Sequence, residues 1–221
     1  MLLLCVAVFS SVSAQQSETR NLGSFRGVKV SQGIDVYLKK GDRESARLEV
    51  TGTSSENVVT EVVGSYLKIH MKEGRFRDRH VKVYVTYVEV DKLSASSSGN
   101  IYAEDAIKTD NFEVSTSSAG TVEVTVDVNF LEASASSAGQ LDLKGKTKNF
   151  TADASSAGEI DAYDVEAETV TAEASSGSTV KVNVTKELNA HASSGGGVRF
   201  RGNPPKSVTE SSSGGSVRKS N

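Results

Sequence analysis

A Ser-Ser-x-Gly tetrapeptide, or a close variant of it, recurs seven times within residues 96–217 of this 221-residue chain. The fourth residues of the copies are Gly99, Gly120, Gly139, Gly158, Ser178, Gly196 and Gly215, and successive copies lie 21, 19, 19, 20, 18 and 19 residues apart. A repeat of about 20 residues that does not drift is typical of a solenoid, in which each repeat forms one coil. The repeat therefore predicts the architecture before any other feature is considered.

The residues that flank each tetrapeptide alternate between apolar and polar side chains. Eight residues before the aligned position stand Phe112, Leu131, Phe150, Val170 and Leu188, and two residues after it stand Ile101, Val122, Leu141, Ile160, Val180, Val198 and Val217. A period of two is typical of β-strands with one buried face, and no stretch has apolar residues at helical spacing. Each coil is therefore predicted to contain two short strands that meet at the Ser-Ser-x-Gly corner.

Stacking lets these strands bury their apolar face, because each can pair in parallel with its equivalent one coil away, at about 4.8 Å. Connections between parallel strands of one sheet are nearly always right-handed. We therefore predict an all-β fold, a right-handed parallel β-helix with coils of about 19–20 residues.

The corner residues are expected to stack like on like. Glycine accepts a positive φ and lets neighbouring backbones approach closely, which suits a tight corner. Stacked serines are expected to form hydrogen-bonded ladders between coils. Ser178 interrupts the glycine column, and Gly177 could take the bend there if the register shifts by one residue.

Residues 1–14 have the features of a signal peptide. Leu2–Phe9 is a short apolar run, and Val12–Ala14 before Gln15 fits the small-x-small rule for signal peptidase. A membrane span would need about 20 apolar residues, and the run Leu2–Phe9 is much shorter. Cys5, the single cysteine, leaves lipoprotein processing as an alternative, although Leu4 is unfavourable before a lipidated cysteine. We predict cleavage before Gln15 and export to the periplasm, the cell surface or the extracellular space. No positively charged segment precedes the apolar run, which leaves the true start of the signal peptide open.

The rest of the chain is expected to form one domain. Residues 15–21 are expected to be a flexible N-terminus, residues 22–92 the first coils and an atypical N-terminal β cap, and residues 93–221 the seven-coil β-helix. Terminal coils of a solenoid are usually atypical, because an open end exposes unpaired backbone groups. Beyond Gly202, two prolines and a polar end favour fraying.

The net charge of the chain bears on which class of molecule it can bind. The 25 basic and 28 acidic residues give a net charge of −3, which argues against nucleic acid.

Three sequence motifs suggest chemistry, and each has a simpler interpretation. Gly139–Thr147 superficially resembles a phosphate-binding loop, but it has five residues between its glycines and alternates as a strand. Ser216–Lys219 matches Ser-x-x-Lys, although it lies in a corner repeat near the last residue. His70, His80 and His191 are scattered, and no cysteine accompanies them as a zinc ligand. We predict no catalytic, cofactor-binding or metal-binding residue and no cofactor.

An acidic cluster is the strongest anomaly of the predicted surface. It comprises Asp153, Glu159, Asp161, Asp164, Glu166, Glu168 and Glu173, with no basic residue between them. Stacking is expected to bring Glu159 and Asp161 near Asp142 or Glu123. Aligned carboxylates can hold Ca²⁺ or act as acid and base in polysaccharide cleavage. An ordinary solvated face, offset by later lysines and arginines, is the simpler interpretation, and Ca²⁺ binding stays open.

Several strands resemble the GIN domain, a family of bacterial secreted proteins described as auto-transporter adhesin heads. The resemblance rests on Phe25-x-x-Val28-x-Val30, Gly33–Val36, Tyr66–Ile69, Val81-x-Val83-x-Val85 running into Leu93, and the Ser-Ser-Ala-Gly coils. It covers roughly residues 22–218 and implies a parallel β-helix in the bacterial cell envelope. A proline expected near Val85 in many relatives is absent here.

Two classes of function follow from these features. The first is a non-enzymatic, adhesin-like or structural surface module that binds a cell-surface glycan or protein through its flat faces. The second is a carbohydrate-active β-helix enzyme, a polysaccharide lyase or hydrolase. Such enzymes usually carry long loops and aromatic platforms, whereas these coils have uniform length, no tryptophan, and only Tyr102 and Tyr163 as tyrosines in the repeats. The first class is favoured, and the oligomeric state stays open.

Overall fold

The computed structural model describes residues 16–220, except for the side chain of Gln16. The strands are β1 (Gln16–Asn21), β2 (Gly27–Val30), β3 (Asp35–Lys40), β4 (Ser45–Thr51), β5 (Val58–Val63), β6 (Tyr66–Met71), β7 (His80–Tyr87), β8 (Lys92–Ala95), β9 (Asn100–Ala103), β10 (Ile107–Thr116), β11 (Thr121–Ala135), β12 (Gln140–Ala154), β13 (Glu159–Ala174), β14 (Thr179–Ala192), β15 (Gly197–Arg201), β16 (Lys206–Ser211) and β17 (Ser216–Lys219). A single 3₁₀ turn, Ser55–Asn57, is present in this part of the chain. The predicted signal peptide lies outside the described residues.

The strands form one continuous sheet that winds into a β-solenoid of about seven turns. Equivalent strands of successive coils pair in parallel, so that Val122, Leu141, Ile160, Val180 and Val198 stack in one column. We call the strands that follow each corner the front face (β3, β7, β9, the first halves of β11–β14, β15 and β17). Those that precede each corner form the back face (β2, β6, β8, the second halves of β10–β14, and β16). The predicted all-β parallel β-helix is confirmed.

Apolar columns from both faces fill the interior. The column of Phe112, Leu131, Phe150, Val170 and Leu188 is at most 2 % exposed, and alanines such as Ala133, Ala152 and Ala172 stack beside it. Each large aliphatic or aromatic side chain removed from water contributes about 1.5–3 kcal/mol. Small alanines let the two faces approach, which leaves the outward side chains as the part available to a ligand.

The corner residues that adopt a positive φ are not the ones expected. In the corner that starts at Ser117, the second and third residues, Ser118 and Ala119, have φ of 49° and 58°, whereas Gly120 does not have a positive φ. The amide of Gly120 donates to the carbonyl of Ser117 at 2.9 Å. Positive φ at both central residues is typical of a type I′ turn. The prediction that the glycine takes the positive φ is therefore wrong.

Close approach explains the glycine column instead. A Cβ atom on Gly158 would lie 2.3 Å from the carbonyl oxygen of Ala135 in the preceding coil, far inside contact distance. The corner ladder is made of backbone groups, since the amide of Ala119 donates to the carbonyl of Ser137 in the next coil at 3.1 Å. A serine hydroxyl contact is present on the back face, where Ser115 donates to Ser94 at 3.0 Å.

Ser178 fits the corner without the predicted register shift. Its amide donates to the carbonyl of Ser175 at 3.1 Å, as the glycine does in the other coils. Its buried hydroxyl donates to the carbonyl of Ala154 at 2.7 Å and accepts from the amide of Ser175 at 3.0 Å. Gly177, with φ of 72°, takes the third position that Ala157 takes one coil earlier. The Ser178 hydroxyl thus bonds to the carbonyl of the preceding coil. In the other coils the corner glycine approaches the equivalent carbonyl closely without a side chain.

The N-terminal end is closed by antiparallel strands. β1 pairs antiparallel with β4, β4 with β7, and β5 with β6, which confirms that this end departs from the regular coils. Residues 16–21, expected to be flexible, instead form β1. At the other end, where fraying was expected beyond Gly202, β16 and β17 pair in parallel with β14 and β15.

Arg20 bridges the two faces across this N-terminal end. Its guanidinium donates to the carbonyls of Val58 at 2.7 Å and Ser55 at 2.9 Å, to the hydroxyl of Thr60 at 3.0 Å, and to the carboxylate of Glu18 at 2.8 Å. Hydrogen bonds from Arg20 and Ser55 lower the pKa of Glu18 to about 2. We call Arg20 and Glu18 the N-terminal clamp.

Candidate binding faces of the β-helix

One outward row of side chains runs along the front face from β7 to β17. The register stacks Tyr84, Tyr37, Tyr102, Glu123, Asp142, Asp161, Lys181, Arg199 and Arg218 in this order. We call this set the front row. It changes along its length from aromatic to acidic to basic, because each coil supplies one residue at about 4.8 Å spacing.

The aromatic part of the front row is a stack of three tyrosines. The ring centroid of Tyr37 lies 5.2 Å from that of Tyr84 and 5.3 Å from that of Tyr102, with interplanar angles of 19° and 24°. The guanidinium of Arg47 lies 4.1 Å from the Tyr84 ring centroid, and the Tyr84 hydroxyl donates to Glu49 at 3.3 Å. Both faces of the Tyr37 ring are thus covered. Tyr37 and Tyr84 therefore offer ring edges and hydroxyls to a ligand, not the open ring face on which a sugar stacks.

The acidic part confirms the predicted alignment of carboxylates. Glu123, Asp142 and Asp161 are register neighbours, and Glu159 stacks on Gln140 in the adjacent row. Lys181 donates to Glu159 at 2.8 Å and to Asp161 at 2.9 Å, and these hydrogen bonds raise the pKa of the Lys181 ammonium. Within residues 16–220, no group of three or more acidic, histidine or cysteine side chains is arranged to hold a metal ion.

A shallow groove lies beside an exposed phenylalanine on the back face. It has a volume of about 340 Å³, and Phe130, which is 51 % exposed, lies at its edge. Asn111 and Asn149 stack directly on either side of Phe130. Lys92 and Glu113 form an ion pair of 2.6 Å in the same lining. An exposed aromatic ring flanked by amides and charges is the kind of lining that small polar ligands use.

Sequence reasoning missed Phe130 and most of the tyrosine stack. Phe130 had a signal, since Asn111, Asn149 and Thr169 occupy the same outward column, in which an aromatic residue is the exception. Tyr37 and Tyr84 had none, because they lie in strands without the repeat.

The remaining sequence candidates fall on ordinary surface strands. His191 lies between Glu173 and Glu210 in an outward row, as predicted, and its side chain is 44 % exposed. His70 and His80 lie on β6 and β7, away from each other in the register. The loop-like segment Gly139–Thr147 is the start of β12 with its corner glycine, and Ser216–Lys219 is β17. Neither motif has the helix that its chemistry requires.

Comparison with known proteins agrees with this architecture. The family model described as "Putative auto-transporter adhesin, head GIN domain" matches residues 24–204. The chain belongs to the GIN-domain family. No curated protein has a sequence that matches it significantly.

Solved structures of bacterial proteins share this GIN-domain fold. A putative adhesin from Bacteroides fragilis NCTC 9343 superposes with a TM-score of 0.84 at 14 % identity, covering 94 % of this chain and 97 % of that one. A putative adhesin from Parabacteroides merdae gives a TM-score of 0.73 at 17 % identity, with 94 % and 96 % covered. A protein from Parabacteroides distasonis named as a putative lipid binding protein gives 0.70 at 18 % identity, with 94 % and 97 % covered. At these identities, the likeness concerns the fold alone.

The family suggests a surface or exported location and an adhesin-like role. No helix among the described residues is long and apolar enough to cross a membrane.

Proposed function

We propose that this protein is an exported, non-enzymatic envelope module that binds a cell-surface glycan or protein through the outward rows of its β-helix. The observation that carries the proposal is the front row, a continuous set of polar and aromatic side chains on nine successive strands. Contacts spread along such a row are individually weak and add up over a repetitive ligand. Membership of an adhesin-head family and the apolar run of residues 2–9 support surface export.

The geometry of the carboxylates gives no support to the enzyme alternative. Glu123 and Asp142 are exposed on an open strand face, and the rings of Tyr37 and Tyr84, covered on both sides, do not form sugar-stacking subsites. A glycoside hydrolase needs two carboxylates on opposite sides of a bound sugar, whereas these two side chains lie side by side in one row.

The groove at Phe130 lies on the back face and is proposed to give the ligand a contact in addition to those of the front row. A glycan-array and host-matrix binding screen on residues 15–221, the predicted mature chain, identifies a ligand for the test. Phe130→Ala is then expected to weaken binding several-fold without abolishing it, because an exposed aromatic ring is lost while the rows remain. Val63→Ala removes exposed apolar surface far along the chain, on β5, and serves as the matched control.

Two results would contradict this proposal. Complete loss of binding by one front-row substitution would indicate a single compact site in place of distributed contacts. Depolymerisation of a polysaccharide by the purified protein, stopped by Asp161→Asn, would establish the enzyme alternative.

A further inference from the structure

The C-terminal edge of the back face has an unusual strand. β16 pairs with β14 along one edge, and no other strand in residues 16–220 pairs with its second edge. All six residues of β16 are exposed, and Val208 is 58 % exposed. Exposed edge strands are usually protected by charged side chains, proline or a bulge, because free backbone groups there invite pairing with another chain. β16 has its two charges, Lys206 and Glu210, on either side of a central exposed valine.

The register with β14 determines which side chains of β16 point outward. Lys206 stacks on Glu187, Val208 on Asn189 and Glu210 on His191, all in outward rows. Ser207 and Thr209 continue the inner columns of Leu188 and Ala190. The outward set is therefore a valine with a positive charge two residues before it and a negative charge two residues after it.

We propose that β16 pairs antiparallel with β16 of a second copy of this chain, about a two-fold axis at Val208. This arrangement opposes Lys206 to Glu210 of the second copy, and Glu210 to its Lys206. Val208 lies against Val208, and Ser207 lies opposite Thr209. Opposite charges and hydroxyl pairs directly across an antiparallel ladder stabilise it, and the facing valines remove apolar surface from water. The pairing joins two back faces into one longer sheet.

The charges extend beyond the two central strands. Lys206 Nζ already lies 3.6 Å from Glu187, and His191 Nδ1 lies 3.8 Å from Glu210. In the dimer, each outer row therefore reads Glu187, Lys206, Glu210 and His191 across the junction, with opposite charges adjacent at its centre. The inference goes beyond the proposed binding function and does not depend on it.

Other pairings of the same edge are less favourable. Parallel pairing in register would oppose Lys206 to Lys206 and Glu210 to Glu210. Head-to-tail pairing with the N-terminal end would have to use an end already bridged by Arg20 and Glu18. The isologous arrangement also closes after two copies, whereas a head-to-tail contact would continue into a filament. On the front face at the same end, Arg218 and Lys219 of β17 bring like charges together, so we expect a weak dimer.

Sedimentation velocity over a concentration series tests the pairing directly. The purified protein is expected to show a reversible monomer–dimer equilibrium without larger species. Val208→Lys is expected to abolish the dimer, because it places two lysines across the axis, and to leave the thermal midpoint unchanged at concentrations where the unmodified protein is monomeric. Val63→Lys, at an exposed valine of edge strand β5, is the matched control and is expected to leave the dimer intact.

Charge reversal distinguishes this register from any other. Lys206→Glu alone and Glu210→Lys alone are each expected to weaken the dimer at least tenfold, because like charges then oppose each other. An equimolar mixture of the two variants is expected to form a heterodimer, since every opposed pair in it is again oppositely charged. A protein that stays monomeric, a dimer insensitive to Val208→Lys, or a mixture that does not associate would overturn the proposal.

Discussion

Among residues 16–220, both ends of this β-helix leave a strand edge unpaired, but the two ends are built differently. At the N-terminal end, β1 lies antiparallel to β4, and Arg20 opposes the buried Ala46 in that pairing, so its side chain points over the open core. From there it reaches the carbonyls of Ser55 and Val58 on the other side of the coil. An inward charge of this kind makes it costly for another strand to stack on that end.

The C-terminal end has no equivalent bridge among the described residues. β16 continues the parallel stack, and its inner positions change to Ser207, Thr209 and Ser211 where earlier coils have leucine and alanine. The core thus ends in hydroxyl groups, while Val208 points outward. Ending the apolar core and blocking the strand edge are therefore separate tasks. Of the two ends, the N-terminal one does both, whereas the C-terminal one ends the core and leaves the edge of β16 open.

The largest expected effect comes from two corner substitutions, one in an inner coil and one in the last coil, which test whether the C-terminal end is packed like the inner coils. Gly158→Val in an inner corner is expected to cost about 3 kcal/mol or more, because its Cβ would lie 2.3 Å from the Ala135 oxygen and coils on both sides prevent relaxation. Gly215→Val makes a similar clash with the carbonyl of Ala192, yet it is expected to cost less, since the last coil can separate locally. Urea unfolding midpoints of both variants give the comparison.

The control for this pair is Glu159→Thr. Its position stacks on Gln140 and Thr179 in an outward row, and the change is expected to stay within about 0.5 kcal/mol. Equal midpoints for Gly158→Val and Glu159→Thr would mean that the close approach at the corner does not limit the side chain.

The regular coils could be predicted from the sequence because stacking puts like residues together. A period of two within each coil and a period near 20 between coils determine which residues, such as Phe150 or Glu159, face inward or outward. The location of the positive φ could not be predicted in this way. Glycine prefers that conformation, but the close contact of the fourth position with the preceding coil outweighs the preference, and Ser156 and Ala157 take the positive φ instead.

The N-terminal end and its contacts lie beyond the reach of the repeat. The clamp joins Arg20 to Ser55 and Val58, 35 and 38 residues away, through an antiparallel arrangement that no periodicity marks. The tyrosine stack likewise depends on β3 lying between β7 and β9, which is not the order of these strands in the chain. Phe130 is the exception, because comparison of the repeats alone would have revealed it.

A matched pair of substitutions separates the clamp from the exposed end. Arg20→Met is expected to destabilise the protein by about 2 kcal/mol, because the Val58 carbonyl and the Thr60 hydroxyl lose a charged donor, and the Ser55 carbonyl loses the guanidinium while it keeps the amide of Val58. Lys206→Met, at a side chain 76 % exposed with one ion pair of 3.6 Å, is expected to change stability by less than about 0.5 kcal/mol. Unfolding of both variants by guanidinium chloride measures the two losses of stability. Equal losses would show that Arg20 does not close the N-terminal end.

The smallest expected effect concerns the acid response of the two ends. Glu18 has a pKa of about 2 in the folded protein, below its ordinary value of 4.5, because it accepts hydrogen bonds from Arg20 and Ser55. Its contribution to stability is therefore fully present above pH 4.5 and is lost as the pH falls towards 2. Since the side chain is 40 % exposed, solvent screening keeps this contribution below about 1 kcal/mol. Glu18→Gln should accordingly destabilise the protein at neutral pH, and the gap to the unmodified protein should close on acidification. Glu210→Gln, at a side chain 74 % exposed, is the control and should give a smaller gap at neutral pH. Urea midpoints measured from neutral pH down to pH 2 decide the matter, and a gap for Glu18→Gln that does not narrow would mean that its carboxylate is not held by the N-terminal clamp.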